Sequence, residues 1–417
     1  MPGKTGRNLI TGWLLAILVT LLTASAYPCT IAVVHGSVTV DGRPLLWKNR
    51  DVDTVNQAFR YYWPRMVPGG MTHGFIGNIY SHDTTRVFMG INDVGFAVVN
   101  SNTYNVTDVG LSAITDGALM KLALESCAKV DDFRRLLDST NVAGRTRRYN
   151  FAVIDSTGAG AMFECSYRSY VTYETSADNP IIARANFSKS GDNRFHDDFR
   201  CHRAEALLNA KIRGDAIPRG SLDVAYILEF CMRDLANIYD DPYPLPYYGR
   251  QRSNQVGYIY VDSAITICNR RTTSGVVIRG ILPDEDPRFG AMFGALGQPE
   301  QSIAFPMWVG AGAVSPFLSQ DSVPPLLRII KDRRRQLFSG SPNFMNSLYL
   351  FQSLHVGIYN YTLPLERWAV HMADSMQAVW QTCPPTDNDI QVFEWRLGRR
   401  LFYGLLNQTA QGIFKDR

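Results

Sequence analysis

Residues 29–53 read CTIAVVHGSVTVDGRPLLWKNRDVD, and this stretch organises the rest of the chain. Two apolar, β-forming runs flank Asp41-Gly42, a dipeptide typical of a tight turn, so the sequence predicts a β-hairpin. In an antiparallel hairpin of this length, the end of the second strand returns beside the start of the first. The polar sequence KNRDVD is therefore expected to lie next to Cys29.

The segments that follow continue this pattern. Further hairpins are predicted at RVFMG and VGFAVVNSN (86–102), at YNFAVID and AGAMFECS (149–166), and at SAITICNR and SGVVIRG (263–280). Helices are predicted from Thr115 or Asp116 onward, in DDFRCHRAEALLNAKI and in SLDVAYILEFCMRDLAN. Because the strands come in hairpins and do not alternate strictly with helices, the sequence favours an α+β layered fold over a doubly wound parallel sheet.

The first 26 residues carry the features of an export signal. Lys4 and Arg7 precede an apolar run at 9–22, and Ala24-Ser25-Ala26 offers a small-x-small cleavage site. The apolar run is too short to span a bilayer comfortably, and no later stretch predicts a membrane span. We expect a secreted or periplasmic protein whose signal peptide, residues 1–26, is removed.

Composition excludes several classes of function. The chain has 417 residues, is 46% hydrophobic and carries a formal net charge of +4, so it has material for a large core. The basic residues are not clustered in the sequence, so no nucleic-acid partner is predicted. Phosphate-binding loops, metal-ligand spacings and Ser-His-Asp signatures are absent from the sequence, so no metal and no cofactor is predicted.

Cys29 is the residue with the clearest chemical potential. It lies three residues after the predicted cleavage site, and the seven cysteines are an odd number. If Tyr27-Pro28, a short propeptide, were also removed, the α-amine and the thiol would share one residue. Their unperturbed pKa values are about 7.7–8.0 and about 8.5, so the amine can serve as the general base for the thiol. Arg50 and Asp53, at the end of the hairpin, are candidates to lower the thiol pKa and to hold the amine.

The order of the motifs resembles a known family. Cys-Thr-Ile, DGRPLLWKNRDVD, GINDVGFAVVNSN, NFAVIDSTGAGAMFE, ARANF and SAITICNR follow one another as in the isopenicillin N acyltransferase-like peptidases. These are relatives of penicillin V acylase and choloylglycine hydrolase among the N-terminal-nucleophile (Ntn) hydrolases. The resemblance covers roughly residues 29–310, and it implies a four-layer αββα sandwich and cleavage or transfer at a linear amide bond.

The resemblance also implies roles for individual residues. Cys29 resembles the family's nucleophile, and Arg50 and Asp53 resemble its R-x-x-D pair. Asn100 and Asn186 resemble the asparagines that line the oxyanion site. Three points stay open. First, Asp51 is an alternative to Asp53 as the functional acid. Second, under a shifted register Asn102 or Asn105 would replace Asn100. Third, the family's later arginine corresponds to Arg200 or Arg203, with Arg194 as a third candidate.

The sequence thus predicts an exported Ntn cysteine amidohydrolase with a small-molecule amide as substrate. The αββα domain is expected at 29–315 and a helical C-terminal extension packed on it at 316–417, with the arginines at 333–335 and 399–400 on solvated helix faces. Tyr243 and Tyr247, in a Pro/Tyr-rich loop, are candidates to contact the substrate. Two alternatives are an acyltransferase and a non-catalytic secreted binding protein with Cys29 in a disulfide; assembly into a homo-oligomer is left open.

Overall fold

The computed structural model describes residues 29–106, 114–192, 199–215, 220–236, 260–338, 343–346, 349–350 and 357–410. Four predictions fall outside these ranges: the signal peptide at 1–26, the Tyr27-Pro28 propeptide, Arg194, and the loop with Tyr243 and Tyr247. Within the described residues, none of the helices has the length and apolar character needed to cross a membrane.

The described residues form seventeen strands and seven α-helices. The strands are β1 (Thr30–Val34), β2 (Leu45–Asp51), β3 (Gln57–Tyr62), β4 (Met66–Val67), β5 (Gly70–Met71), β6 (Phe75–Tyr80), β7 (Met89–Asn92), β8 (Ala97–Asn102), β9 (Tyr149–Ile154), β10 (Gly160–Cys165), β11 (Tyr170–Glu174), β12 (Ile181–Arg184), β13 (Tyr260–Asp262), β14 (Thr272–Arg279), β15 (Ala291–Leu296), β16 (Phe305–Trp308) and β17 (Phe344–Asn346). The helices are α1 (Asp116–Ser126), α2 (Val130–Ala143), α3 (Phe199–Arg213), α4 (Val224–Tyr226), α5 (Pro325–Leu337), α6 (Tyr359–Thr382) and α7 (Asp387–Ala410).

Two large antiparallel sheets form the centre of the molecule. One has the strand order β12-β1-β2-β14-β15-β16, and the other has the order β11-β10-β9-β8-β7-β6-β3. Side chains of both sheets share one hydrophobic core, in which Val33 and Trp47 of the first sheet are clustered with Ile91 and Met162 of the second. The α+β class predicted from the sequence is confirmed.

Helices cover both sheets. Leu119 and Leu124 of α1 and Phe133 of α2 pack with Phe151 and other residues of the seven-stranded sheet. Helix α1 begins where the sequence predicts, because the Thr115 side chain accepts a hydrogen bond from the Ala118 amide (3.3 Å). Helix α3 packs against β1 and β12.

The C-terminal helices are attached to the six-stranded sheet by buried polar groups as well as apolar ones. Glu394 of α7 accepts a hydrogen bond from the Trp308 amide (2.9 Å), and Glu366 of α6 accepts one from the Ala304 amide (2.6 Å). The Trp380 ring of α6 packs edge-on against that of Trp308, with 5.4 Å between centroids. The region after residue 316 is not wholly helical, because β17 pairs with β13.

Three local predictions were wrong. The first hairpin has no tight turn at Asp41-Gly42: β1 ends at Val34, and the connecting segment pairs instead with a distant partner, the Val40 amide donating to the Leu222 carbonyl (2.9 Å). SAITICNR contains no strand, and β14 begins only at Thr272. The arginines at 333–335 do not share a solvated face, since Arg333 is buried and only Arg335 is exposed.

Candidate active site

Strand pairing determines which residues surround Cys29. Thr30 pairs with Asn49 on β2, and Ile31 pairs with Arg184 on β12. Continuing both antiparallel registers to Cys29, which directly precedes β1, brings it opposite Arg50 on one side and Asn186 on the other. Because β1 lies between β12 and β2, a residue that the sequence singled out lies on each side of Cys29.

A cavity of about 260 Å³ opens beside Cys29. Cys29 is a free thiol, and the residue is only 7% exposed. Polar and charged side chains dominate the lining, among them Lys48, Arg50, Asn100 and Asp116. Over the described part of the chain, no group of three or more His, Cys, Asp or Glu residues could hold a metal ion.

Lys48 is buried in this cavity and fixes the orientation of Asn100. Its ammonium donates to the Phe88 carbonyl (2.8 Å) and to Asn100 Oδ1 (2.6 Å), while Asn100 Nδ2 donates to Asp116 Oδ2 (3.0 Å). The amide nitrogen of Asn100 is thereby directed toward the start of α1, on the wall of the cavity. Burial lowers the pKa of Lys48 to about 8, with the Cys29 thiol opposing that shift.

The electrostatics of the thiol reflect two opposing effects. Burial raises the pKa of Cys29 above its usual value, and among the neighbouring charges Lys48 has the largest effect and lowers it. The charge of Asp51 raises the thiol pKa and that of Arg50 lowers it further. The thiol also donates a long hydrogen bond to the Asp51 carbonyl oxygen (4.0 Å). Lys48 is thus the main cation acting on Cys29, a role that the sequence had suggested for Arg50.

Arg50 contributes to the cavity as an aromatic-stacked cation. Its guanidinium lies 3.8 Å from the centroid of the Phe88 ring and 4.5 Å from that of Tyr80, and it donates to Gln57 Oε1. Desolvated cation–π contacts of this kind hold a guanidinium rigidly. Arg50 therefore presents a fixed positive charge on the cavity wall.

The structure places Asp51, not Asp53, deep beside Cys29. The Asp51 carboxylate is fully buried and accepts hydrogen bonds from Asn269 Nδ2 and Thr272 Oγ1, both at 2.6 Å. Burial raises the pKa of Asp51 to about 7, and the charge of Arg200 is the largest effect in the opposite direction. Asp53 lies at the rim of the cavity, where its half-exposed side chain pairs with Arg271 (3.2 Å).

Arg200 joins the buried carboxylate to Asn186. Its Nη2 donates to Asn186 Oδ1 (2.7 Å), and its Nη1 lies 3.7 Å from Asp51 Oδ2. Asn186 is fully buried, and its Nδ2 donates to the Asn102 carbonyl (2.8 Å). Arg203 instead pairs with Asp234 (2.6 Å). Of Arg200 and Arg203, the two candidate arginines that the structure describes, Arg200 is the one that joins the cluster.

The sequence reasoning missed Lys48, Asp116, Asn269 and Thr272. Two signals were present. Lys48 and Asp51 have the same i, i+3 spacing as the R-x-x-D pair, and Asn269 belongs to the SAITICNR motif. Alternation along β2 points Lys48 and Arg50 to one face of the sheet and Asp51 to the other. Asp53 lies beyond the end of β2, so the R-x-x-D spacing alone cannot show which acid is buried.

We expect replacement of Lys48 by methionine to slow alkylation of Cys29 by iodoacetamide about tenfold at pH 7.5, because a one-unit rise in thiol pKa lowers the thiolate fraction by that factor. In the wild type the favourable charge is present below the Lys48 pKa of about 8 and is lost above it. Lys48→Arg keeps its charge, so its Cys29 should react faster than that of the wild type at pH 9.

Peptide-resolved mass spectrometry measures these rates, with the exposed thiol of Cys383 as an internal reference. Identical pH profiles for the wild type and Lys48→Met would show that Lys48 does not act on the thiol.

Residues 38–234, just under half of the chain, match the family model of acyl-coenzyme A:6-aminopenicillanic acid acyl-transferase. The resemblance to Ntn hydrolases of the acyltransferase and acylase type, predicted from the motifs, is confirmed by this match.

Solved structures similar to this chain include penicillin V acylase from Agrobacterium tumefaciens, with 15% identity over 67% of this chain and 86% of that one and a TM-score of 0.41. An N-acylethanolamine-hydrolyzing acid amidase orthologue from Caenorhabditis elegans shares 14% identity over 61% of this chain and 94% of that one, with a TM-score of 0.37. A variant of conjugated bile acid hydrolase from Clostridium perfringens shares 12% identity over 67% and 92%, with a TM-score of 0.40. No curated protein matches the chain.

Proposed function

We propose that this chain is an exported Ntn cysteine amidohydrolase that cleaves a small linear amide through a thioester on Cys29. The observation that carries the proposal is a free, buried thiol that shares one cavity with a buried lysine and with Asn100. The thiol donates to the backbone carbonyl of Asp51, whose buried carboxylate Arg200 bridges to Asn186. The family-model match supports the same chemistry.

In the proposed reaction, the neutral α-amine of Cys29 accepts the thiol proton, and the sulfur attacks the carbonyl carbon of the amide. The resulting ammonium returns that proton to the leaving nitrogen as the carbon–nitrogen bond breaks, so an amine departs and a thioester remains. Water then attacks the thioester, with the amine again accepting a proton, and releases a carboxylic acid and the free thiol.

Each surrounding group has a part in this scheme. Asp51, buried and bridged to Arg200, holds the α-amine of the processed chain, while Lys48 favours the thiolate. Asn100 and Asn186 direct amide N–H groups to the developing oxyanion, and one such donor is worth about 10²–10³ in kcat. The hydrogen bonds of both asparagines fix their side chains and use one N–H of each Nδ2. In this proposal the second N–H of each amide is the oxyanion donor, and a fixed side chain reduces the reorganisation that such a donor needs.

The proposal includes the finer architecture and the processing of the chain. The two sheets and the helices that cover them would form the four-layer αββα sandwich, with 316–417 as a C-terminal extension. Signal peptidase would cut after Ala26, and an N-to-S acyl shift at Pro28-Cys29 would then release Tyr27-Pro28.

The mature N-terminus tests this proposal directly. Intact mass and N-terminal sequencing of the active, exported protein should show a chain that begins at Cys29, because only then is the α-amine available as a base. Active protein that still carries Tyr27-Pro28 would overturn the mechanism. Loss of Tyr27-Pro28 from a Cys29→Ala variant would show that another protease, not Cys29 itself, removes them.

Acyl transfer is the second candidate, because the matching family model is that of an acyl-transferase. The two functions differ only in what resolves the thioester. Added amines should leave the product spectrum of a hydrolase unchanged, whereas a transferase should form a new amide in proportion to the amine. The third candidate, a binding protein with Cys29 in a disulfide, has less support because Cys29 is a free thiol in the structure.

A further inference from the structure

A second concave site lies on helix α5, away from the thiol. It is a groove of about 910 Å³ lined by five cationic side chains and a single carboxylate. We call it the basic groove; its charged residues are Arg270, Arg328, Lys331, Asp332, Arg334 and Arg335. Such an excess of positive charge in one concavity raises the local concentration of anions.

Four of the five cations are held by neutral acceptors. Arg328 donates to the Val323 carbonyl (3.1 Å), and Lys331 donates to Asn56 Oδ1. Arg334 donates to the Arg270 carbonyl (2.5 Å). These bonds fix the positions of the side chains, but they do not neutralise their charges.

The other two cations of the groove are Arg270 and Arg335. Arg270 Nη1 donates to Asn343 Oδ1 (3.4 Å), again a neutral oxygen, and Arg335 pairs with Asp332. Among the residues that the structure describes, Arg335 is the one cation of the groove that forms an ion pair. The groove therefore keeps an uncompensated positive charge that is distributed over several preorganised donors.

Arg334 shows that this charge is partly removed from water. Its Nε is buried and has no hydrogen-bond partner among the described residues, although the guanidinium lines the groove. Burial lowers the pKa of Arg334, and the neighbouring charge of Arg270 lowers it further. A guanidinium that is partly buried without an opposite charge is costly, and an anion in the groove would supply that opposite charge.

We propose that the basic groove binds a multivalent phosphate-bearing anion. Guanidinium groups match phosphate oxygens in a bidentate fork, and three or more arginines around one concavity suit a ligand with several such oxygens. Through the bond from Lys331 to Asn56, the groove is also connected to the loop whose Val52, Asp53 and Thr54 line the Cys29 cavity. A phosphate ligand would thus sit directly behind that loop.

Titration with inorganic pyrophosphate at constant ionic strength tests the proposal on the purified full chain. Calorimetry should detect saturable binding to the wild type and at least a tenfold weaker affinity for an Arg328→Glu, Arg335→Glu double variant, in which both changed residues are exposed. The matched control is Arg396→Glu, Arg399→Glu, which makes the same charge change on exposed positions of α7 and should bind like the wild type.

Equal binding by the wild type and the groove variant, or no binding by the wild type, would overturn the proposal. Circular dichroism spectra of both double variants establish that each is folded. A second arm distinguishes the sources of phosphate. Binding to vesicles of phosphatidylglycerol but not phosphatidylcholine identifies a lipid headgroup, and binding of pyrophosphate without vesicle binding identifies a soluble phosphate compound; either result supports the groove as a phosphate site.

Discussion

Replacement of Cys29 by alanine should reduce amide hydrolysis by at least about 10⁴-fold, because loss of the nucleophile in a comparable acyl-transfer enzyme costs about 10⁶ in kcat. The residual rate would come from binding and from the oxyanion donors, which remain in place. Hydrolysis of a panel of N-acyl amides, followed by the release of free amine, measures the effect. The wild-type protein first identifies which amides are substrates.

Cys127→Ala provides the matched control, because Cys127 is also a buried cysteine but packs in the core between the helices and the seven-stranded sheet. Burial raises the pKa of the Cys127 thiol to about 12, so it is protonated and unreactive at neutral pH. This variant should keep nearly full activity. Undiminished hydrolysis by Cys29→Ala would exclude a thioester mechanism at this residue.

Local sequence signals predicted much of the central fold correctly. The hairpins β7–β8 and β9–β10 occur at the predicted turns, because alternating apolar strands and a turn sequence are sufficient to specify a hairpin. The connection after β1 could not be predicted in this way. Its course depends on pairing with Leu222, which is almost two hundred residues away in the sequence.

The strand predicted at SAITICNR is absent for a different physical reason. Its apolar residues favour a strand, but Thr266 donates to the Ser263 and Cys268 carbonyls, and the Asn269 amide donates to Thr272 Oγ1. Such local side-chain bonds compete with a strand ladder. The same bends bring Asn269 to the buried carboxylate of Asp51, so the prediction failed at a position that belongs to the candidate site.

For the candidate site, the sequence was sufficient to predict which residues lie near Cys29, but not which of its acidic residues is buried. The hairpin register correctly places the end of β2 beside Cys29. Which acid is buried depends on the approach of Arg200, Asn269 and Thr272 from three other segments, and no spacing within KNRDVD contains that information. Tertiary packing therefore determines that Asp51 is buried and that Asp53 is half-exposed, whereas the choice of the functional acid stays a prediction.

The second large effect is expected when Asp51 is replaced by asparagine. The change removes the negative charge that faces Arg200 and that would hold the α-amine of Cys29. We expect kcat to fall about 10²–10⁴-fold, the range typical for a misplaced acid–base group. The comparison variant is Asp53→Asn, which has the same chemical change two residues away, and its activity should stay within about threefold of the wild type because an exposed ion pair contributes little.

Processing and folding must be followed alongside activity, since a buried arginine without its carboxylate also destabilises the protein. Thermal unfolding reports stability, and intact mass reports whether the variant still begins at Cys29. A folded, correctly processed Asp51→Asn protein with a wild-type kcat would rule out a role for this carboxylate. A large loss of activity in Asp53→Asn, together with normal activity in Asp51→Asn, would instead assign the role to Asp53, the R-x-x-D acid inferred from the family. The carboxylate at the rim of the cavity would then be the one that acts on the α-amine.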